Sequence, residues 1–216
     1  LSGFFGTAGS LFFNWMVQWW LGRDMKRVNG LTLFTISISA VTSIMLRILW
    51  PAQVIHVDWH KTQMLLISIA FGVIGAVLGN LYEKKLKERH LRQLFLGILL
   101  FFGFKLLGFI PGQLFSSLPV DAQTTTGVWS LIAGIGSPLL GMGAGVFLIP
   151  TFLGIGFPGD EAILMSLIVS AFLMFLGAWL FHRAKRLEVQ DLRHVWLPAI
   201  IGTPAGVWLS YQISPE

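Results

Sequence analysis

Stretches of about twenty apolar residues recur along this chain with short cation-bearing segments between them, and no other feature restricts the fold as strongly. The hydrocarbon core of a bilayer is roughly 30 Å thick and takes about 20 apolar residues per helix. Five runs have that length, 28–49, 62–81, 93–110, 161–181 and 195–211, and each reads as one spanning helix. Only 12% of the residues are charged and 55% are hydrophobic, whereas soluble domains carry about 25% charge. A water-soluble fold could not hide that much apolar surface, so the fold class is all-α integral membrane.

Two further runs do not read as simple spans. The run 127–156 has 30 residues, eight of them glycine, with Pro138 and Pro150, and is too long for one helix at about 1.5 Å per residue. It reads as two short half-helices joined by irregular backbone around Gly134-Ile135-Gly136-Ser137-Pro138. Such backbone is tolerated at membrane depth only where protein surrounds it or it lines a cavity. The run 1–21, with Gly3, Gly6 and Gly9, reads as the second limb of an equivalent element. Its first limb is expected upstream of Leu1, and no signal peptide is recognised.

The two glycine-rich runs are related. Gly6-Thr7-Ala8-Gly9-Ser10-Leu11-Phe12 aligns with Gly141-Met142-Gly143-Ala144-Gly145-Val146-Phe147, and the correspondence continues from 28–33 to 162–167 and from 72–78 to 202–208. The chain therefore divides into a first membrane repeat (1–110), a polar connecting loop (111–126) and a second membrane repeat (127–216) that is one span shorter. Each repeat is a glycine-rich broken or re-entrant element followed by spanning helices.

The cations decide between topologies. If both glycine-rich elements cross the membrane, one face holds 8 Lys and Arg residues and the other at most 5, a poor asymmetry. If both are re-entrant, segments 22–28, 82–92 and 182–194 share one face and hold 12 of the 15. The second arrangement obeys the positive-inside rule, and the repeats are then inverted, as in many secondary transporters. The formal charge of +5 is thus a topology signal that also meets anionic lipid, and no nucleic-acid partner is implied. Trp19, Trp20, Trp50, Trp59, Trp179 and Trp196 fall near predicted helix ends, where amphipathic rings favour the headgroup zone. The absence of cysteine excludes disulfides, thiolate metal sites and thiol nucleophiles within the chain.

At the glycine motifs the sequence resembles the sulfite exporter TauE/SafE family of membrane permeases. The stretch 136–150 (GSPLLGMGAGVFLIP) is similar to that family's glycine-rich segment ending in an aliphatic-Pro pair, and a short polar turn and a helix start with Ala162 and Ser166 follow it. The first half departs from the pattern: Gly6 to Ser10 lacks the glycine triplet, and Asn14-Trp15 stands where the second half has Ile149-Pro150. The resemblance implies transport of sulfite, sulfonates or related sulfur-containing anions across the cytoplasmic (inner) membrane, usually as export, by a multi-pass permease that is not an enzyme.

Candidate substrate contacts follow from anion chemistry. Gly6, Gly9 and Ser10 in one half, and Gly141, Gly143 and Gly145 in the other, let backbone N–H groups approach a ligand, and half-helix N-termini favour an oxyanion. The same glycines equally serve close helix packing in lipid. Thr32 and Ser166 hold matched positions in the two halves, with Thr35, Ser39 and Thr42 continuing one face and Ser170 the other. Their hydroxyls can donate to an anion or bond back to the preceding turn. Asn14 and Gln18, one turn apart, offer amide N–H groups, and Lys105 is an intramembrane cation, although Lys105 can also snorkel to the interface, as can Arg47. Asp160 and Glu161 read as charges at a helix N-terminus. His56, Asp58 and His60 share one polar loop and read as a solvated surface.

The function expected is a secondary transporter working by alternating access. An anion or small-solute channel with the same hairpins as its lining is the alternative. A membrane enzyme is disfavoured, because the membrane runs carry no nucleophile-base set and no acid pair. The partners expected are a small anionic substrate and membrane lipid, with room for a homo-oligomer; no cofactor and no metal are called for.

Overall fold

A computed structural model describes residues 16, 17, 19, 22, 25–49, 59–87, 89, 90, 93, 96, 97, 100, 121–185 and 200–208. Five helices carry the described architecture: α1 (Met25–Leu49), α2 (Trp59–Lys85), α3 (Ala122–Leu140), α4 (Gly145–Gly154) and α5 (Gly159–Arg183). Residues 93, 96, 97, 100 and 200–208 are also helical, and no strand occurs among the described residues. The stretches Val28–Arg47, Lys61–Glu83 and Gly159–Arg183 are long and apolar enough to cross a membrane.

These helices are apolar nearly all round, as membrane spans are. On α2 the outward side leaves Leu66, Phe71, Ile74, Val77, Leu78 and Leu81 exposed. Water would not tolerate such a surface, and lipid does. The hydroxyls of α1 are reconciled with apolar surroundings by bonds to the preceding turn: Thr32, Thr35 and Thr42 donate to the carbonyls of Val28, Leu31 and Ile38 at 2.8–2.9 Å. Trp179, near the end of α5, is exposed and carries the Arg183 guanidinium 5.4 Å from its ring centroid. Arg47, expected to snorkel outward, is instead buried in the last turn of α1.

Side-chain contacts fix the directions of the helices. Lys61 pairs with Glu161, and a Cβ on Gly72 would touch Leu173, so nearly equal steps along α2 and α5 keep pace and the two run parallel. Thr126 meets Met64, and Gly134 meets Gly72 at the same sequence separation, so α3 runs parallel to α2 as well. Leu33 lies against Gly177. If α1 ran parallel to α5, its end would lie about 50 Å along the axis from the start of α2 at 1.5 Å per residue. Residues 50–58 cannot bridge that at about 3.3–3.6 Å each, so α1 is antiparallel to the other three. The first turn of α1 and the last turns of α2 and α5 therefore share one end, where the cations cluster, while Lys61 and Glu161 mark the other.

The chain leaves α3 near the cationic end and starts α5 at the Lys61 end, so α4 and its flanking residues bring it back. Phe147 of α4 accordingly lies beside Gly136 of α3. Residues 122–158 form a hairpin that returns to the end it entered from, the re-entrant form that the cation distribution favours.

Two features of this hairpin differ from the sequence reading. Its first limb is no short half-helix: α3 has 19 residues, about 28 Å long, and takes in 122–126, read above as loop. The break is also not at 134–138, because α3 runs through Gly134 and Pro138 to Leu140. Gly134 is a packing residue there. A Cβ on it would strike the Gly72 carbonyl, one on Gly75 would strike the Leu131 carbonyl, and one on Gly79 would come within 2.5 Å of the Ile135 oxygen and 2.7 Å of the Pro138 ring. Backbone meets backbone along this crossing, as small residues permit in lipid. Pro138 falls in the last turn of α3, where its missing donor leaves the helix intact to Leu140.

A helix break capped by its neighbours

The true break is the four-residue turn Gly141-Met142-Gly143-Ala144. Gly141 ends α3 in the left-handed conformation (φ 63°, ψ 30°) that glycine adopts without strain, and its N–H donates to the Ser137 carbonyl at 2.9 Å. Here the last carbonyls of α3 and the first N–H groups of α4 lack partners within their own helices, and every residue from Leu139 to Gly145 is buried. Leaving such groups unpaired costs about 1–3 kcal/mol each.

Two other helices supply partners. Asn29 of α1 donates its amide Nδ2–H to the Leu139 carbonyl at 2.9 Å. Ser170 of α5 accepts the Gly145 N–H on its hydroxyl oxygen at 3.1 Å. That is the service an N-cap residue ordinarily gives its own helix, and Ala144, at the N-cap position of α4, has no side chain to give it. Ser137, one turn before the break, donates its hydroxyl to the Met174 thioether at 3.7 Å, a weak acceptor.

The level of the break matters for chemistry. Ser170 stands at the middle of the 25-residue α5, so the N-terminus of α4, with the positive end of its dipole, lies about halfway along a spanning helix. Backbone N–H groups, a serine hydroxyl and a helix N-terminus together can hold an oxyanion without a buried countercharge.

The structure brings Gly141, Gly143 and Gly145 together at this point. Ser166 is one turn from Ser170 on α5 and donates to the Ile163 carbonyl at 2.7 Å. Thr32 donates to the Val28 carbonyl, and the α1–α5 register puts it level with residue 178, about 18 Å along the axis from Ser166. The same registers put Thr32 level with the end of α3, whereas Ser166 lies one turn from Ser170 towards the Lys61 end. Gly6, Gly9, Ser10, Asn14, Gln18 and Lys105 lie outside the described residues, as do His56 and Asp58. Asp160 and Glu161 occupy the first turn of α5 as expected, and Glu161 also binds Lys61 at 2.6 Å. Among the described residues no three His, Asp or Glu side chains gather as a metal site. Sequence reasoning missed Asn29 and Ser137; the one available signal was that Asn29 shares the helical face of Thr32.

A family model described as sulfite exporter TauE/SafE matches residues 1–106 and 127–216. The chain belongs to the sulfite exporter TauE/SafE family. Comparisons with curated proteins and with solved structures found no match. TauE/SafE proteins are membrane transporters, in keeping with three helices fit to cross a bilayer. The second matched segment opens inside α3 and takes in the whole break.

Proposed function

We propose that this protein is a multi-pass permease of the cytoplasmic membrane that exports small sulfur-containing anions, sulfite or organosulfonates, by alternating access. The observation that carries this reading is the buried N-terminus of α4 at the middle level of α5, held by Ser170. A tetrahedral or pyramidal oxyanion accepts several N–H and O–H bonds at once, and this terminus offers them where lipid would otherwise forbid a charge. Burial of the whole turn fits an occluded conformation, and access from either side then requires the hairpin to move against α1 and α5. The cation distribution supports an inverted relation of the two repeats, with lipid as the remaining partner.

The test is a thermal-shift titration of the purified protein with sulfite, thiosulfate, sulfate, sulfoacetate and taurine against a chloride control. Stabilisation that saturates for one sulfur anion is the expected result, because a ligand that binds only the folded state raises its melting temperature. Counterflow of that anion in proteoliposomes separates a carrier from a channel. No response to any of the five refutes the proposal.

A further inference from the structure

Met64, Ser68 and Gly72 follow one another at four-residue steps on α2, and Thr126, Ser130 and Gly134 do so on α3. Both ends of this double row are in contact. Thr126 Oγ1 donates to Met64 Sδ at 3.6 Å, and Gly134 is pressed on the Gly72 backbone. Four-residue steps stay on one helix face, so Ser68 faces α3 and Ser130 faces α2 at a common level between those contacts. Both residues are fully buried, and neither hydroxyl has a hydrogen-bond partner among the described residues. Ser37 on α1 and Ser166 on α5, by contrast, return their proton to a carbonyl three residues back. The α2–α5 register puts the pair within one turn of the level of Ser170.

We propose that Ser68 and Ser130 form a subsite on the substrate's route that binds an oxygen of the transported anion when α2 and α3 part at the Lys61 end. This inference rests on the carrier reading above. Two facing hydroxyls can each donate to the same oxygen, and having no charge they grip it weakly, as a passage point requires. A cation would find only neutral hydroxyl oxygens in this row and no carboxylate. The glycine crossing beyond, where Gly75 and Gly79 meet Leu131, Ile135 and Pro138, is the fixed point about which the α2–α3 interface opens.

Single-cysteine chemistry tests this, since the chain has no native cysteine. Ser68→Cys and Ser130→Cys are reconstituted in proteoliposomes, with Ile74→Cys on the exposed apolar side of α2 as control. They are treated with an anionic sulfonatoethyl and a cationic trimethylammonioethyl methanethiosulfonate. Reaction at Ser130→Cys at least about tenfold faster with the anionic reagent, slowed by sulfoacetate, is expected. Equal rates for the two reagents, rates no higher than at Ile74→Cys, or indifference to sulfoacetate overturns the subsite. Ser130→Ala guards against a misfolded thiol variant: it keeps the parent's melting temperature or raises it, and binds the anion about tenfold more weakly, about 1.4 kcal/mol. Unchanged binding by Ser130→Ala also overturns the proposal. If the parent chain responds to no sulfur anion, the carrier reading fails and takes the subsite with it; if the parent responds and these variants do not behave as stated, only the subsite fails.

Discussion

Gly134→Ala tests the α2–α3 crossing. The added methyl would sit against the Gly72 carbonyl and the Ala76 nitrogen, backbone atoms that cannot rotate away. The helices would have to part by about 1 Å to restore normal van der Waals spacing, and overpacking of this kind costs about 1–3 kcal/mol. Replacing a helical glycine also returns up to about 1 kcal/mol of helix propensity, so Gly134→Ala alone understates the clash. Gly136→Ala, two residues on in the same helix, receives the same propensity gain, but its Cβ meets only the Phe147 ring at 3.5 Å. The difference between the two variants isolates the contact. In detergent, Gly134→Ala should melt below Gly136→Ala by roughly 2–12 °C, taking about 2–4 °C per kcal/mol for a chain of this size. Equal melting temperatures would refute the parallel packing of α2 on α3, and with it the register on which the Ser68–Ser130 inference stands.

Removing the hydroxyl in Ser170→Ala takes away the acceptor of the Gly145 N–H; a loss of about 1–2 kcal/mol in thermal stability and weaker anion binding are expected, measured on the same sample. Asn29→Leu leaves the buried Leu139 carbonyl without its donor and should cost about 1–3 kcal/mol, read as a fall in melting temperature larger than that of Ser170→Ala. For Asp121→Cys, Gly159→Cys and Lys185→Cys, impermeant maleimide added to intact cells should label the first two from one side and the third only from the other; labelling of Asp121→Cys and Gly159→Cys from opposite sides would mean that the hairpin crosses. Exchanging the charges in Lys61→Glu/Glu161→Lys should restore most of whatever stability either single change loses, with a coupling of about 1 kcal/mol or less for a pair that solvent still reaches.

The spans were legible because membrane helices need length and apolarity before anything else, and α1, α2 and α5 each contain one of the expected runs. The hairpin was legible too, from a run too long for one helix. Its break was misplaced because glycine and proline have two uses that a sequence does not distinguish. Gly134 serves close approach to Gly72, which only the partner helix reveals, whereas Gly141 serves a left-handed turn. Asn29 escaped notice for a related reason: its role depends on a carbonyl 110 residues away, and an amide at the cationic edge of an apolar run looks like loop chemistry. Thr32 and Ser166 were picked out by spacing, and spacing is equally satisfied by the bonds to Val28 and Ile163 that they make.

That α4 is capped by a hydroxyl from another helix has a consequence for energetics. The Gly145 N–H is satisfied by Ser170, so an anion bound as proposed would exchange one hydrogen bond for another instead of gaining it outright. Binding then yields only the difference between an ionic and a neutral acceptor, of the order of 1 kcal/mol. The serine also stands ready to reclaim the N–H when the anion leaves. Under the proposed carrier reading, such a site would hold its cargo loosely and reset without exposing a bare helix end to the membrane interior.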